Sequence, residues 1–138
     1  MRVSSRGRYA LRVMTDLAEQ EGEKNYIALK GIAQRQEISQ KYLESIMLAL
    51  SKAGLVDGQH GKGGGYRLNR SPKDYSVGEI LRVTEGDLAP VACLDCEAEA
   101  CGRSSDCRTL PMWTELYRMI NDYFDHITLA SLMRQESK

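Results

Sequence analysis

The sequence predicts a mainly α-helical fold with one small β-hairpin, on the strength of three stretches between residues 29 and 68. The first is the short amphipathic segment Leu29-Lys30-Gly31-Ile32-Ala33-Gln34-Arg35, broken at Glu37-Ile38-Ser39. The second is a helical pattern over 40–53, in which Leu43, Ile46, Met47 and Leu50 recur at the spacing of one helix face. Ser39 stands where an N-cap accepts a bond from an orphan backbone N–H, and Gly54 where a left-handed cap ends a helix. The third is a pair of strand patterns, 55–60 and 66–69, on either side of Gly61-Lys62-Gly63-Gly64-Gly65. A run so rich in glycine suits a hairpin tip. Two helices across a short turn followed by a basic hairpin make a winged helix-turn-helix.

Such a fold reads double-stranded DNA with the outer face of its second helix. That face carries Lys41, Glu44, Ser45 and Lys52. The expected DNA-binding set is Ser39, Gln40, Lys41, Tyr42 and Glu44 from that helix and its cap, with Lys62, Gly63, Gly64 and Arg67 from the wing. Lys62 and Arg67 would lie along phosphates or in a minor groove. Arg6 and Arg8, with Arg12 beside them, add backbone contacts from the first helix or form a solvated face. Glu44 is the expected specificity residue, because a carboxylate accepts from cytosine N4 but repels phosphate and offers nothing to guanine O6. The alternative is a solvated charge or a partner for Lys41. The charge distribution agrees with a DNA face: residues 1–75 hold 13 Lys/Arg against 8 Asp/Glu, and residues 76–138 hold 6 against 11, within a net charge of zero. The glycine run could also be a hairpin without a ligand. A nucleotide-phosphate loop fits less well still, for no Gly-Lys-Ser/Thr closes the run and no strand-to-helix context surrounds it.

Around this centre the first helix is expected over 5–21, followed by a polar turn and a short strand at Tyr26-Ile27-Ala28 that pairs with the wing. Ser76 should cap a helix whose inner face is Val77, Ile80, Leu81 and Val83, with Glu79 completing a capping box and Gly86 ending it. A long helix follows from Pro111 to about 126, proline suiting its first turn. Its stripe of Trp113, Leu116, Ile120, Tyr123, Phe124 and Ile127 is wider than a small domain needs, so the matching helix of a second copy is the expected cover. Residues 128–133 read as a short docking turn. The expected organisation is a DNA-binding domain over 1–88, a cysteine-rich loop over 89–110, and a dimerisation helix and tail over 111–138.

With 138 residues, 42% of them apolar and 28% charged, the chain fits one soluble domain. No apolar run approaches the roughly 18 residues of a membrane span, and the Arg-rich start lacks a secretory pattern, so a cytoplasmic protein is expected. No Ser-His-Asp or paired-carboxylate constellation argues for an enzyme.

All four cysteines lie in one fifteen-residue window, Cys93-x2-Cys96-x4-Cys101-x5-Cys107, among acidic residues and almost nothing apolar. Clustered thiols in a cytosolic chain point to metal or redox chemistry before structural disulfides. Thiolates select zinc or iron–sulfur clusters, but only Cys93 and Cys96 have the knuckle spacing of a zinc site. A redox pair at Cys93-x2-Cys96, as in an electron carrier, would need a βαβ context that is missing.

Arg6-Gly7-Arg8-Tyr9-Ala10-Leu11-Arg12, Tyr42-Leu43-Glu44, Ala53-Gly54-Leu55-Val56 and Gly63-Gly64-Gly65-Tyr66, taken in order, resemble the IscR/NsrR-type bacterial transcription regulators over nearly the whole chain. The resemblance implies a homodimer on a pseudo-palindromic operator, with an iron–sulfur cluster held by three loop cysteines, the last two separated by five residues. Cys101 and Cys107 match that separation, Cys93 fits as the first, and Cys96 is extra. The fourth ligand departs from the pattern. Leu110 stands where IscR-like members have histidine, and Arg8 where NsrR-like members have an acidic residue. Cys96, a loop carboxylate or a group from the partner subunit remains, and a 2Fe–2S cluster is expected ahead of 4Fe–4S. His60 and His126 are expected to be structural. The implied function is a transcription regulator, a repressor for example, whose DNA affinity or specificity follows the cluster and which serves iron–sulfur cluster biogenesis. The alternative is a thiol-switch or zinc-containing regulator sensing redox or nitric oxide stress.

Overall fold

A computed structural model describes residues 2–20, 24–94 and 106–134. The elements run α1 (Ser5–Glu19), α2 (Leu29–Gln36), α3 (Gln40–Lys52), β1 (Val56–Gln59), β2 (Gly65–Leu68), α4 (Val77–Glu85), α5 (Leu110–Asp125) and α6 (Leu129–Leu132). Three-residue 3₁₀ turns at Pro72–Asp74 and Ala92–Leu94 join them. The fold is mainly helical with a two-stranded antiparallel wing.

The helix-turn-helix forms as its residue types dictate. Glu37 takes a left-handed conformation (φ 55°) and its N–H bonds Ala33 O, which ends α2. Ile38 is buried in the turn, and the Ser39 hydroxyl accepts from Tyr42 N at 3.2 Å to start α3. Leu43, Ile46, Met47 and Leu50 are fully buried against Ala10, Val13, Met14 and Leu17 of α1 and Ile32 of α2. Gly54 (φ 79°) then reverses the chain into β1. One link in this core carries charge. Asp16 is only 3% exposed, and it accepts from Arg35 Nη2 at 2.7 Å, Arg35 Nε at 3.0 Å and Gln36 Nε2 at 2.9 Å. These bonds pin α1 to α2 and raise the Arg35 pKa above its usual value, chiefly through the hydrogen bonding to Asp16.

The wing pairs Val56 with Leu68 and Gln59 with Gly65, and Ile27 adds a single bridge to Tyr66 with backbone bonds of 2.8 and 2.9 Å. That approach explains a glycine: a Cβ on Gly65 would fall on the carbonyl of Ile27. Tyr75 anchors the chain leaving the wing, donating from its buried hydroxyl to Leu55 O at 2.7 Å.

Beyond the wing, Ser76 caps α4 by accepting from Glu79 N at 3.0 Å. The expected capping box is only half made. Glu79 turns its carboxylate to Arg70 instead, at 2.8 and 2.9 Å, because a bidentate guanidinium outcompetes one backbone N–H. Helix α5 packs its Ile120 and Phe124, with Ile127 beyond its end, against Val77 and Leu81 of α4 and Leu88. Arg82 of α4 clamps Asp125 at 2.7 and 3.0 Å and Asn121 at 2.7 Å. The chain then returns through Thr128, whose hydroxyl caps α6, and plants Leu129 fully buried in the main core. Residues 21–23 at the expected end of the first helix lie outside the described residues.

Candidate nucleic-acid interface and cysteine loop

The outer side of α3 is open along its length. Gln40, Lys41, Glu44 and Leu48 are exposed, and Glu44 makes no ion pair among the described residues, with Lys41 or any other. Tyr42 is half-buried and meets Tyr9 edge-on at 5.8 Å, which makes it part of the α1–α3 joint. Arg6 serves the same joint, its Nη1 donating to Ser45 Oγ at 2.8 Å and its Nη2 to Ser45 O at 3.2 Å. Arg12 lies over the Tyr9 ring at 5.1 Å and donates to Gln36. Of the three arginines of α1, Arg8 alone stays exposed without such a bond among the described residues. Arg6 therefore ties α1 to α3, and Arg12 ties it to the end of α2.

The wing divides its two cations in a similar way. Lys62 is exposed at the tip, beside Gly63 with φ 79°. Arg67 projects from β2 opposite Asp57, 3.5 Å away, and stacks over Tyr26 at 4.7 Å. Gly64 lies where a Cβ would strike the Gln59 carbonyl, so the tip needs glycine for its own closure. Between α3 and the wing runs a groove of about 660 Å³. Gln40, Glu44, Leu48 and Ser51 form one wall, Gly58, Gln59, His60 and Tyr66 the other, and Lys30 from α2 stands at the lining. Lys30, Leu48 and Gln59 were not foreseen as part of this surface. The signal for Leu48 was its spacing, four residues beyond Glu44 on one helical row.

The cysteine loop follows α4 in the chain. Cys93 is exposed in the turn Ala92–Leu94, and Cys107 is half-buried three residues before α5 begins. The Cys107 thiol lies 3.5 Å from Thr109 Oγ1, and its pKa is held below the ordinary cysteine value, first by that hydroxyl and then by the Thr109 backbone. Cys96 and Cys101 lie outside the described residues, and among the described ones no three His, Cys, Asp or Glu converge on a metal position. Two accessible thiols at the two ends of one loop, one biased towards thiolate, fit the soft-donor chemistry of an iron–sulfur cluster. Leu110 opens α5 with a half-buried aliphatic chain that cannot ligate. His60 is exposed in the wing, and His126 caps α5 with its Nδ1 2.6 Å from Asp122 O.

The segment that leads into the loop is tied to α5, and α4 to the start of α1. Asp87 accepts from Ala89 N at 2.8 Å and from the Tyr117 hydroxyl of α5 at 2.7 Å. Glu85 accepts from Ser4 N at 3.0 Å and from the Ser4 hydroxyl, at the start of α1. Helix α5 also shows two apolar faces rather than the single stripe expected. Ile120, Phe124 and Ile127 are used within the chain, whereas Met112, Leu116, Met119 and Tyr123 are 55%, 37%, 54% and 65% exposed.

A helix-turn-helix with an open reading helix, a glycine-tipped basic wing and a long helix with an uncovered apolar row defines a winged-helix transcription regulator. The family model for Rrf2, an iron-dependent transcriptional regulator, matches residues 3–135, and the chain belongs to that family of DNA-binding regulators, which are not enzymes. It is 39% identical over 141 residues to Protein rrf2 of Nitratidesulfovibrio vulgaris, covering 99% of this chain and 90% of that one. It is 37% identical over 135 residues to the HTH-type transcriptional regulator IscR of Aliivibrio salmonicida, covering 96% and 77%. Among solved structures it is similar to CymR, the global cysteine regulator of B. subtilis, with a TM-score of 0.78, 34% identity, and 96% and 95% of the two chains covered. Among the described residues no helix is long and apolar enough to cross a membrane.

Proposed function

We propose that the chain works as a cytoplasmic homodimer that binds pseudo-palindromic operator DNA, and that an iron–sulfur cluster in the cysteine loop controls its affinity or specificity. The observation that carries this reading is the clustering of four thiols between α4 and α5, on the scaffold of an iron-dependent regulator family. Cys93, Cys101 and Cys107 would hold the cluster, 2Fe–2S ahead of 4Fe–4S, with Cys96 or a group of the partner subunit completing it. The cluster, when bound, supplies a centre sensitive to oxidation and to competing ligands. The chain's own residues then transmit its presence. Asp87, just ahead of the loop, is fastened to α5 by Tyr117, and Glu85 fastens α4 to the first turn of α1. Arg6 continues from that turn to Ser45 of α3. Cluster binding shifts DNA affinity only as far as it favours one arrangement of these contacts over another. Glu44 reads cytosine, Gln40 and Lys41 stand beside it, and Lys62 meets phosphate. The resemblance to IscR supports genes of iron–sulfur cluster biogenesis as targets.

Anaerobic purification, a visible spectrum and an iron-to-sulfide assay test the reading. Cys101→Ala or Cys107→Ala should abolish iron binding and leave a folded protein, and full iron content in either variant would overturn the ligand set. Cys96→Ala decides the fourth ligand. The solvent access of Cys93 and Cys107 favours a second reading, a thiol switch, which would show as a colourless protein whose DNA binding responds to a thiol oxidant.

A further inference from the structure

We propose that Leu48 is a specificity-determining residue that packs against the 5-methyl group of a thymine in each half-site. This rests on the reading of α3 as the helix that enters the major groove. Four large aliphatic or thioether side chains of α3, Leu43, Ile46, Met47 and Leu50, are fully buried in the core. Leu48 lies outside that set, 54% exposed, and the core makes no use of it. It follows Gln40 and Glu44 at intervals of four, so the three share one row, and all three line the 660 Å³ groove facing the wing. A branched aliphatic side chain cannot serve a phosphate or the polar edge of a base. Within a major groove the thymine methyl is the apolar group on offer, and a side chain of this kind is its natural contact. Continuity with the reading face selects DNA over a protein partner as the occupant. Glu44 and Leu48 are four residues apart, about 6 Å along the helix axis, or roughly two base-pair steps of 3.4 Å. The thymine therefore lies about two pairs from the cytosine assigned to Glu44.

The test uses a duplex enriched by the wild-type dimer from a random-sequence pool. Each thymine of the site is replaced in turn by deoxyuridine, symmetrically in both half-sites, which removes one methyl and changes nothing else. Burial of a methyl-sized group corresponds to about a fourfold change in affinity, so the symmetric pair should cost about sixteenfold at one position. Leu48→Ala should lose a similar factor on the thymine duplex and become indifferent to uridine there. Leu48→Met, which keeps an apolar reach, should retain most of the discrimination. The variants should melt with the wild type, since Leu48 is outside the core and alanine suits a helix. A wild-type protein indifferent to uridine at every position, or a Leu48→Ala variant that still discriminates, overturns the proposal. Failure of the wild type to enrich any duplex would instead strike at α3 as the reading helix.

Discussion

Met119→Asp and Ile120→Asp, neighbours in sequence, should fail in different ways, because α5 turns them to different surfaces. Met119 belongs to the outer row with Met112, Leu116 and Tyr123, at intervals of four, three and four residues. That is the seam spacing of two packed helices. Ile120 faces α4. Covering a side chain that is about half exposed contributes on the order of 1 kcal/mol, since full burial of Met or Leu contributes about 1.5–3 kcal/mol. Four such residues on each of two protomers give about 8 kcal/mol before the entropy of association is subtracted. Met119→Asp removes about 1 kcal/mol per protomer and desolvates a carboxylate, a further penalty at least as large as the ~1–3 kcal/mol of a neutral polar group. The total, at least about 4–8 kcal/mol per dimer, raises the dissociation constant by a factor on the order of a thousand or more. Sedimentation equilibrium over a concentration series should show a wild-type dimer and a Met119→Asp monomer with unchanged helical circular dichroism. Ile120→Asp should lower thermal stability instead, by loosening α5 from Val77 and Leu81. A stable Met119→Asp dimer at micromolar concentration would refute the outer row as the seam.

Two further outcomes follow from the charged groups. Asp16→Ala leaves Arg35 and Gln36 without their buried acceptor and should cost about 2 kcal/mol, less than a fully buried pair because Arg35 keeps access to water. Thermal denaturation should then fall by about 6 °C, and an unchanged midpoint would remove the α1–α2 clamp from the account of stability. In DNA binding, Lys62→Ala should reduce the salt slope by about one, whereas Arg67→Ala should reduce it by less, because Asp57 already shares that charge. Equal slopes for the two variants would show that the Asp57 pair opens on DNA.

Much of the fold was legible because local chemistry and global packing agree within residues 29–68. Ser39 caps, Gly54 turns, and the row Leu43, Ile46, Met47 and Leu50 is buried as its spacing requires. What stayed hidden depends on choices between partners that spacing does not record. Glu79 had the position of a capping-box residue, but Arg70, nine residues earlier, reaches it across the chain reversal and takes both carboxylate oxygens. Arg6 had the look of a free cation, but Ser45 holds it, thirty-nine residues away. Asp16 gave no sign at all, since a carboxylate in an amphipathic helix reads as surface until its guanidinium is placed beside it.

The long helix shows why a pattern can be right in kind and wrong in direction. Trp113, Leu116, Ile120, Tyr123, Phe124 and Ile127 spread over about 100° of the helical circumference, an apolar stripe whose periodicity announces burial without saying against what. Packing against Val77, Leu81 and Leu88 consumes Ile120, Phe124 and Ile127. The two methionines that complete the free row, Met112 and Met119, were missing from the expected stripe. With α4 on one side, the large apolar side chains of α5 left exposed fall at 112, 116, 119 and 123, a narrow row. A narrow row at this spacing suits a single long helix as its cover, and a second α5 presents the same row. Two thioethers in that seam would let it adjust its packing without unfolding, since methionine fills irregular gaps at little strain. Under the proposed cluster control, a seam of that kind would let the spacing of two reading helices follow the state of the cysteine loop.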